Sequence, residues 1–164
     1  MKKIILASAI VIASASPAFA ASGNTSTATG AATATIVSPI VLTHTSGAAL
    51  GFGTITTGTG GSVSVSAAGV AAVGGDVAFV PGSSSSADAF TVAGDSNRSF
   101  SIATTSGTVT DGITTMAFTT TPSAATGALS NGAASFTVGG TLTVASTNAA
   151  GSYTGTYSAT VTYN

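Results

Sequence analysis

Of the 164 residues, 4% are charged, 44% are hydrophobic, 21 are Gly and none is Cys or Trp. That balance excludes a coiled coil, a basic nucleic-acid binder and a disulfide-stapled miniprotein. It also points away from catalysis, because proton transfer, phosphate binding and metal ligation draw on Lys, Arg, Glu, His and Cys, and these are nearly absent.

Lys2 and Lys3 precede an apolar run over residues 4–12, and Ser16, Pro17, Ala18, Phe19 and Ala20 give the small-x-small pattern of a signal-peptidase site. Residues 1–20 therefore read as a secretory signal peptide, with an apolar run too short to span a bilayer. Cleavage after Ala20 removes both lysines and leaves Arg98 as the one strong cation against Asp76, Asp88, Asp95 and Asp111. Such a chain repels phosphate backbones, so nucleic acid is not an expected partner. An exported chain without cysteine must hold its fold by packing and hydrogen bonds.

Residues 21–34 are small or polar throughout and bury too little to offset the entropy of ordering them, so they read as a flexible arm. From residue 35 to 164 short apolar alternations are separated by Gly, Ser, Asn, Asp or Pro, with no helical spacing. This predicts one all-β domain. Candidate strands lie near 35–43, 50–56, 62–66, 76–80, 89–93, 98–104, 114–120, 134–138, 140–145 and 152–163, with longer loops over 81–88 and 121–133. Phe52, Phe79, Phe90, Phe100, Phe118 and Phe136 fall one per strand, which suggests a sandwich core. Val63, Val65, Val77, Val92, Ile102, Met116, Val138, Leu142 and Val144 share faces with these rings and are expected to be buried. Gly94 to Asn97 and Asp111-Gly112 read as hairpin turns, Gly139-Gly140 as a bend, and Gly60-Gly61 and Gly74-Gly75 as turns. In the C-terminal segment Tyr153, Gly155, Tyr157, Ala159, Val161 and Tyr163 alternate with Thr, Ser and Asn, the mark of an extended strand with one covered face.

The chemistry-bearing residues are few. His44 lacks the Gly-x-Ser-x-Gly turn that exposes a nucleophile, and it reads as a solvent-facing residue of a Thr43–Gly47 turn. The four Asp match no calcium loop; Asp76, Asp95 and Asp111 adjoin turn residues, where Asp commonly bonds nearby backbone. Arg98 is expected to pair with a nearby Asp at the surface. The Thr-x-Thr units at 108–110, 141–143, 154–156 and 160–162 have irregular spacing, unlike the constant repeat of an ice-binding face. No catalytic residue, cofactor site or metal site is expected.

Sheet proteins normally guard their edge strands with Lys or other charges. The mature chain has no Lys, so intermolecular strand addition is easy. If the arm pairs with a neighbour, Ala28, Gly30, Ala32, Ala34 and Ile36 enter the neighbour's groove at every second position; otherwise the arm is a spacer.

The C-terminal segment resembles the terminal motif of chaperone–usher pilins, with a penultimate Tyr163, alternating Val161, Ala159 and Tyr157 before it, and Gly151 fourteenth from the end. More closely, residues 50–55, 60–65, 90–94, 138–142 and 151–155 resemble the bacterial secreted family called domain of unknown function 4402, over nearly the whole mature chain. The resemblance implies a pilin-like, immunoglobulin-type antiparallel β-sandwich. It further implies an assembly edge at Gly151, Tyr157, Ala159, Val161 and Tyr163, a donor strand near 25–36, and as partners a periplasmic chaperone, an outer-membrane usher and further copies of the chain. The expected function is thus a non-enzymatic subunit of a cell-surface fibre, without stable membrane insertion. Two other readings stay open: a small outer-membrane β-barrel, although most strands are shorter than the roughly nine to eleven residues a spanning strand needs, and a monomeric secreted binding module, although an aromatic platform has few candidates.

Overall fold

The computed structural model describes residue 25 and residues 27–164; the signal peptide read at 1–20 and arm positions 21–24 and 26 lie outside the described residues. Residues 36–164 form one unit and carry all the strands described. In chain order these are β1 (Val41–His44), β2 (Ile55–Thr56), β3 (Gly60–Val65), β4 (Ala71–Gly75), β5 (Ala78–Phe79), β6 (Asp88–Ala93) and β7 (Ser99–Thr104). They continue with β8 (Gly107–Thr110), β9 (Thr115–Pro122), β10 (Thr126–Ala128), β11 (Ala133–Ala145), β12 (Thr154–Thr156) and β13 (Ala159–Tyr163). The described residues contain no helix, and every pairing is antiparallel, as expected for an all-β chain.

The main sheet runs β1-β6-β11-β9-β8-β12, with β3 added beside β11 and β4 beside β3. A second sheet has the order β10-β7-β13, and β2 pairs with β5 alone. The organising element is β11. One of its edges pairs first with β6, from Ala133 opposite Ala93 to Val138 opposite Asp88, and then with β3, from Gly140 opposite Val65 to Ala145 opposite Gly60. Its other edge pairs with β9. The even-numbered residues Phe136, Val138, Leu142 and Val144 all point inward and are buried, because the strand's side-chain alternation keeps its phase across Gly139-Gly140.

Two clusters form the core side by side along this strand. Phe136 and Val138 join Phe90, Val92, Phe100, Ile102 and Leu129 between the main and three-stranded sheets. Leu142 and Val144 join Val63, Val77, Met116 and Phe118, which are flanked by Leu50, Phe52, Ile55 and Phe79 around β2 and β5. Tyr157 packs against both. Each aliphatic position expected inside is buried, as are Phe90, Phe100, Phe118 and Phe136; Phe52 and Phe79 are half-buried.

Several expected boundaries are corrected. Gly139-Gly140 is not a bend: it lies within β11, at the point where its neighbour changes from β6 to β3. A Cβ on Gly139 would run into the Val65 carbonyl and come within 2.6 Å of the Ala67 nitrogen, so the side chain is omitted to let that backbone cross. Gly60-Gly61 and Gly74-Gly75 are strand residues rather than turns, and Gly61 faces Gly75 across β3 and β4. The Gly94–Asn97 turn joins β6 to β7, which belong to different sheets, so it is a crossing rather than a hairpin. Strand 35–43 shortens to β1, β4 and β8 occupy stretches expected to be loop, β10 and buried Leu129 lie in the expected 121–133 loop, and 152–163 is split into β12 and β13.

The Asp111-Gly112 turn forms as expected between β8 and β9, with Gly112 at φ 93°. The Asp111 carboxylate accepts the Thr114 and Ile113 amides, at 2.7 and 2.9 Å, and these hydrogen bonds hold its pKa below the usual carboxylate value. Because the folded pKa is depressed, the contribution of this turn is present above the unfolded pKa and is lost as pH falls through the folded one. A carboxyl-carbon NMR titration is expected to show Asp111 with a midpoint below that of a free Asp, the Ile113 and Thr114 amides shifting in step. A midpoint at or above the free value would remove this account of the turn.

Candidate functional site

The C-terminal segment leaves one sheet and enters the other. Thr154–Thr156 pair with Thr110–Thr108 of β8, and Ala159–Tyr163 pair with Thr104–Phe100 of β7. The step between them is held by Thr105, whose amide donates to the Ser158 carbonyl at 2.9 Å and whose hydroxyl accepts the Ser158 amide at 3.0 Å. Odd positions 153, 157, 159, 161 and 163 stay half-buried while every even position from 154 to 164 is exposed. The alternation holds through β13 and at Tyr153 and Tyr157, which pack on the core, whereas all three residues of β12 are exposed.

Each tyrosine of this segment reaches a different element. Tyr153 shares a hydrogen bond of 2.7 Å with the Thr114 hydroxyl and donates to the Ala149 carbonyl at 2.9 Å. Tyr163 accepts the Asp95 amide at 2.7 Å and donates to the Ser38 carbonyl at 3.0 Å. Tyr157 donates to Asp88 Oδ2 at 2.7 Å.

Asp88 is the buried charge of the domain, with 5% exposure. Its Oδ1 takes His44 Nε2 at 2.7 Å and its own following amide, Ala89, at 2.8 Å. A buried carboxylate is tolerated only when its lone pairs are occupied, and here β1, β6 and the sheet-crossing residue Tyr157 supply the donors. Burial first, then the hydrogen bond to Asp88 and its charge, push the Tyr157 hydroxyl far above the ordinary phenol range, so it remains a donor. His44, expected to face solvent, is the last residue of β1 and is half-exposed, with its ring edge on Phe90 at 5.1 Å between centroids. The signal for Asp88 was present in the sequence: it has the parity of Phe90 and Val92, the inward face of β6.

Beside this cluster opens a cleft of about 1210 Å3, walled by residues 48–57 and 148–157. Its floor is apolar and includes Phe52, Val109, Met116, Phe118 and Leu142.

The predicted assembly-edge residues Tyr157, Ala159, Val161 and Tyr163 are gathered along one line over the core, and Gly151 is exposed in the loop before β12. The predicted donor residues Ala28, Gly30, Ala32 and Ala34 are exposed and outside any strand, and Ile36 is 95% exposed. Arg98 pairs with Asp95 at 2.9 Å, as expected, and Asp76 accepts the Thr59 amide at 2.9 Å.

Residues 42–163 match the family described as Domain of unknown function (DUF4402). The chain belongs to that family. No curated protein matches, and no solved structure does. The family match spans every strand except the first residue of β1, and so takes in the whole C-terminal edge, the Asp88 cluster and both walls of the cleft.

Proposed function

We propose that this protein is a non-enzymatic, exported subunit of a cell-surface fibre, with a pilin-like, immunoglobulin-type sandwich completed by a strand donated from another copy. The observation that carries the reading is the position of β12 and β13. Each is the last strand of its sheet, so among the described residues the C-terminal segment offers an unpaired backbone edge in both sheets. Beneath that edge Tyr157, Ala159, Val161 and Tyr163 lie half-buried on the core, where an added strand would cover them. Neither β12 nor β13 carries a charged side chain, so nothing there repels strand addition. The donor is the stretch near 25–36 of the next copy. During export the same edge would be held by a periplasmic chaperone and handed over at an outer-membrane usher, as in the pilins that the segment resembles.

Deleting residues 21–34 and imaging the cells tests this. Loss of filaments, with secretion of the domain preserved, is the expected result. Unchanged filament number and length would refute donor-strand polymerisation.

A further inference from the structure

The end of β13 and the stretch before β1 meet at one hydroxyl. Tyr163 accepts the Asp95 amide at 2.7 Å and donates to the Ser38 carbonyl at 3.0 Å. Gly94 leaves room for this, since a Cβ there would overlap the hydroxyl. The bond to Ser38 is the one hydrogen bond that residues 27–40 make among the described residues, and the ladder of β1 begins only at Val41. Around it the chain is held by other means. Ile40 and Tyr163 both pack on the first core cluster, Pro39 fixes its own φ and biases Ser38 towards an extended backbone, and Val37 is half-buried. One residue earlier the hold ends. Ile36 is 95% exposed, and Ala34, Ala32, Gly30 and Ala28, which share its parity, are exposed as well.

We propose that Tyr163 is the positioning residue of the donor arm: its hydroxyl holds Ser38 on the domain, so that residues 37–40 stay with their own copy and the strand given to the next copy ends at Ile36. The proposal rests on the fibre reading and adds that one residue serves both ends of the exchange. Tyr163 is part of the edge that receives a strand, and it is also the fixed point from which the copy's own strand departs. The physical reason is tether length. A donor that starts from a fixed point explores a smaller volume than one loose from Val41 onward, so its effective concentration at a neighbour's edge is higher and its direction is set before capture.

Backbone nitrogen relaxation of the mature monomer, with imaging of the cells that export it, tests this. In the parent, Val37 and Ser38 are expected to be as rigid as β1, with order parameters of about 0.85, and Ala32 and Ala34 to fall below about 0.6. Tyr163→Phe keeps the ring on the core and deletes the hydroxyl. It is expected to bring Val37 and Ser38 down to the arm's values while Val41 and Leu42 stay rigid, and to cut filament length by about twofold or more. Ile102→Val shortens a buried side chain opposite Val161 and lowers stability without touching the arm, so it should leave Val37 and Ser38 rigid. Mobile Val37 and Ser38 in the parent, rigid ones in Tyr163→Phe, equal loosening in Ile102→Val, or parent-length filaments from a loosened Tyr163→Phe would each overturn the proposal. Filaments that persist without residues 21–34 would refute the fibre reading and with it the assembly role, whereas the relaxation data decide separately whether Tyr163 holds the arm.

Discussion

Gly139→Val is expected to lower the unfolding free energy by about 3 kcal/mol, the upper end of what overpacking costs. The obstructing atoms are backbone of Val65, Ser66 and Ala67, which cannot rotate away as a side-chain tip can. Relief requires β3 to separate from β11, and that pairing holds Val63 opposite Leu142 in the second core cluster. Urea unfolding should show the loss as a lower midpoint at unchanged slope. Gly30→Ala is the control: no heavy atom lies within 4 Å of the added Cβ, and its effect should stay within about 0.5 kcal/mol. Equal stability of Gly139→Val and the parent would show that the crossing is looser than described.

Asp88→Ala is expected to cost about 2 kcal/mol. It removes the acceptor of three donors, the Tyr157 hydroxyl, His44 Nε2 and the Ala89 amide, and a buried unsatisfied donor costs about 1–3 kcal/mol. The Tyr157 hydroxyl bears most of this, because His44 is half-exposed and can turn to water. Asp88→Asn keeps an acceptor and should lose less. Paired with Tyr157→Phe in a double-mutant cycle, Asp88→Ala should be non-additive by about 0.5 kcal/mol or more, since both changes remove one hydrogen bond. A loss within about 0.5 kcal/mol for Asp88→Ala, read by urea or thermal unfolding, would mean that the cluster does not hold β1 and the sheet crossing together.

The inward positions were legible because a strand permits only two directions for a side chain. Parity alone assigned Val63, Val92, Ile102, Leu142 and the others to the core, and burial follows it along β11 except at Gly139, which is covered by the Val65–Ala67 backbone. The same parity reached Asp88, but chemistry obscured it: an Asp among small residues resembles a turn, and only its partners from β1 and the C-terminal segment make an inward carboxylate tolerable. Gly139-Gly140 misled for a related reason. Adjacent glycines serve a turn or a close backbone approach equally well, and which of the two applies depends on Val65, more than seventy residues earlier in the chain.

Composition and period-two alternation thus determined by themselves an all-β chain, the membership of its core except Leu129, and an uncharged C-terminal segment, because those follow from local geometry and residue chemistry. Tertiary structure decided how the strands are shared between sheets, where the C-terminal segment crosses from one to the other, and that His44, Asp88 and Tyr157 meet in the wall of an open cleft. Those are long-range pairings. Many of them satisfy the same alternation, and the backbone hydrogen bonds and buried partners of the folded chain select one.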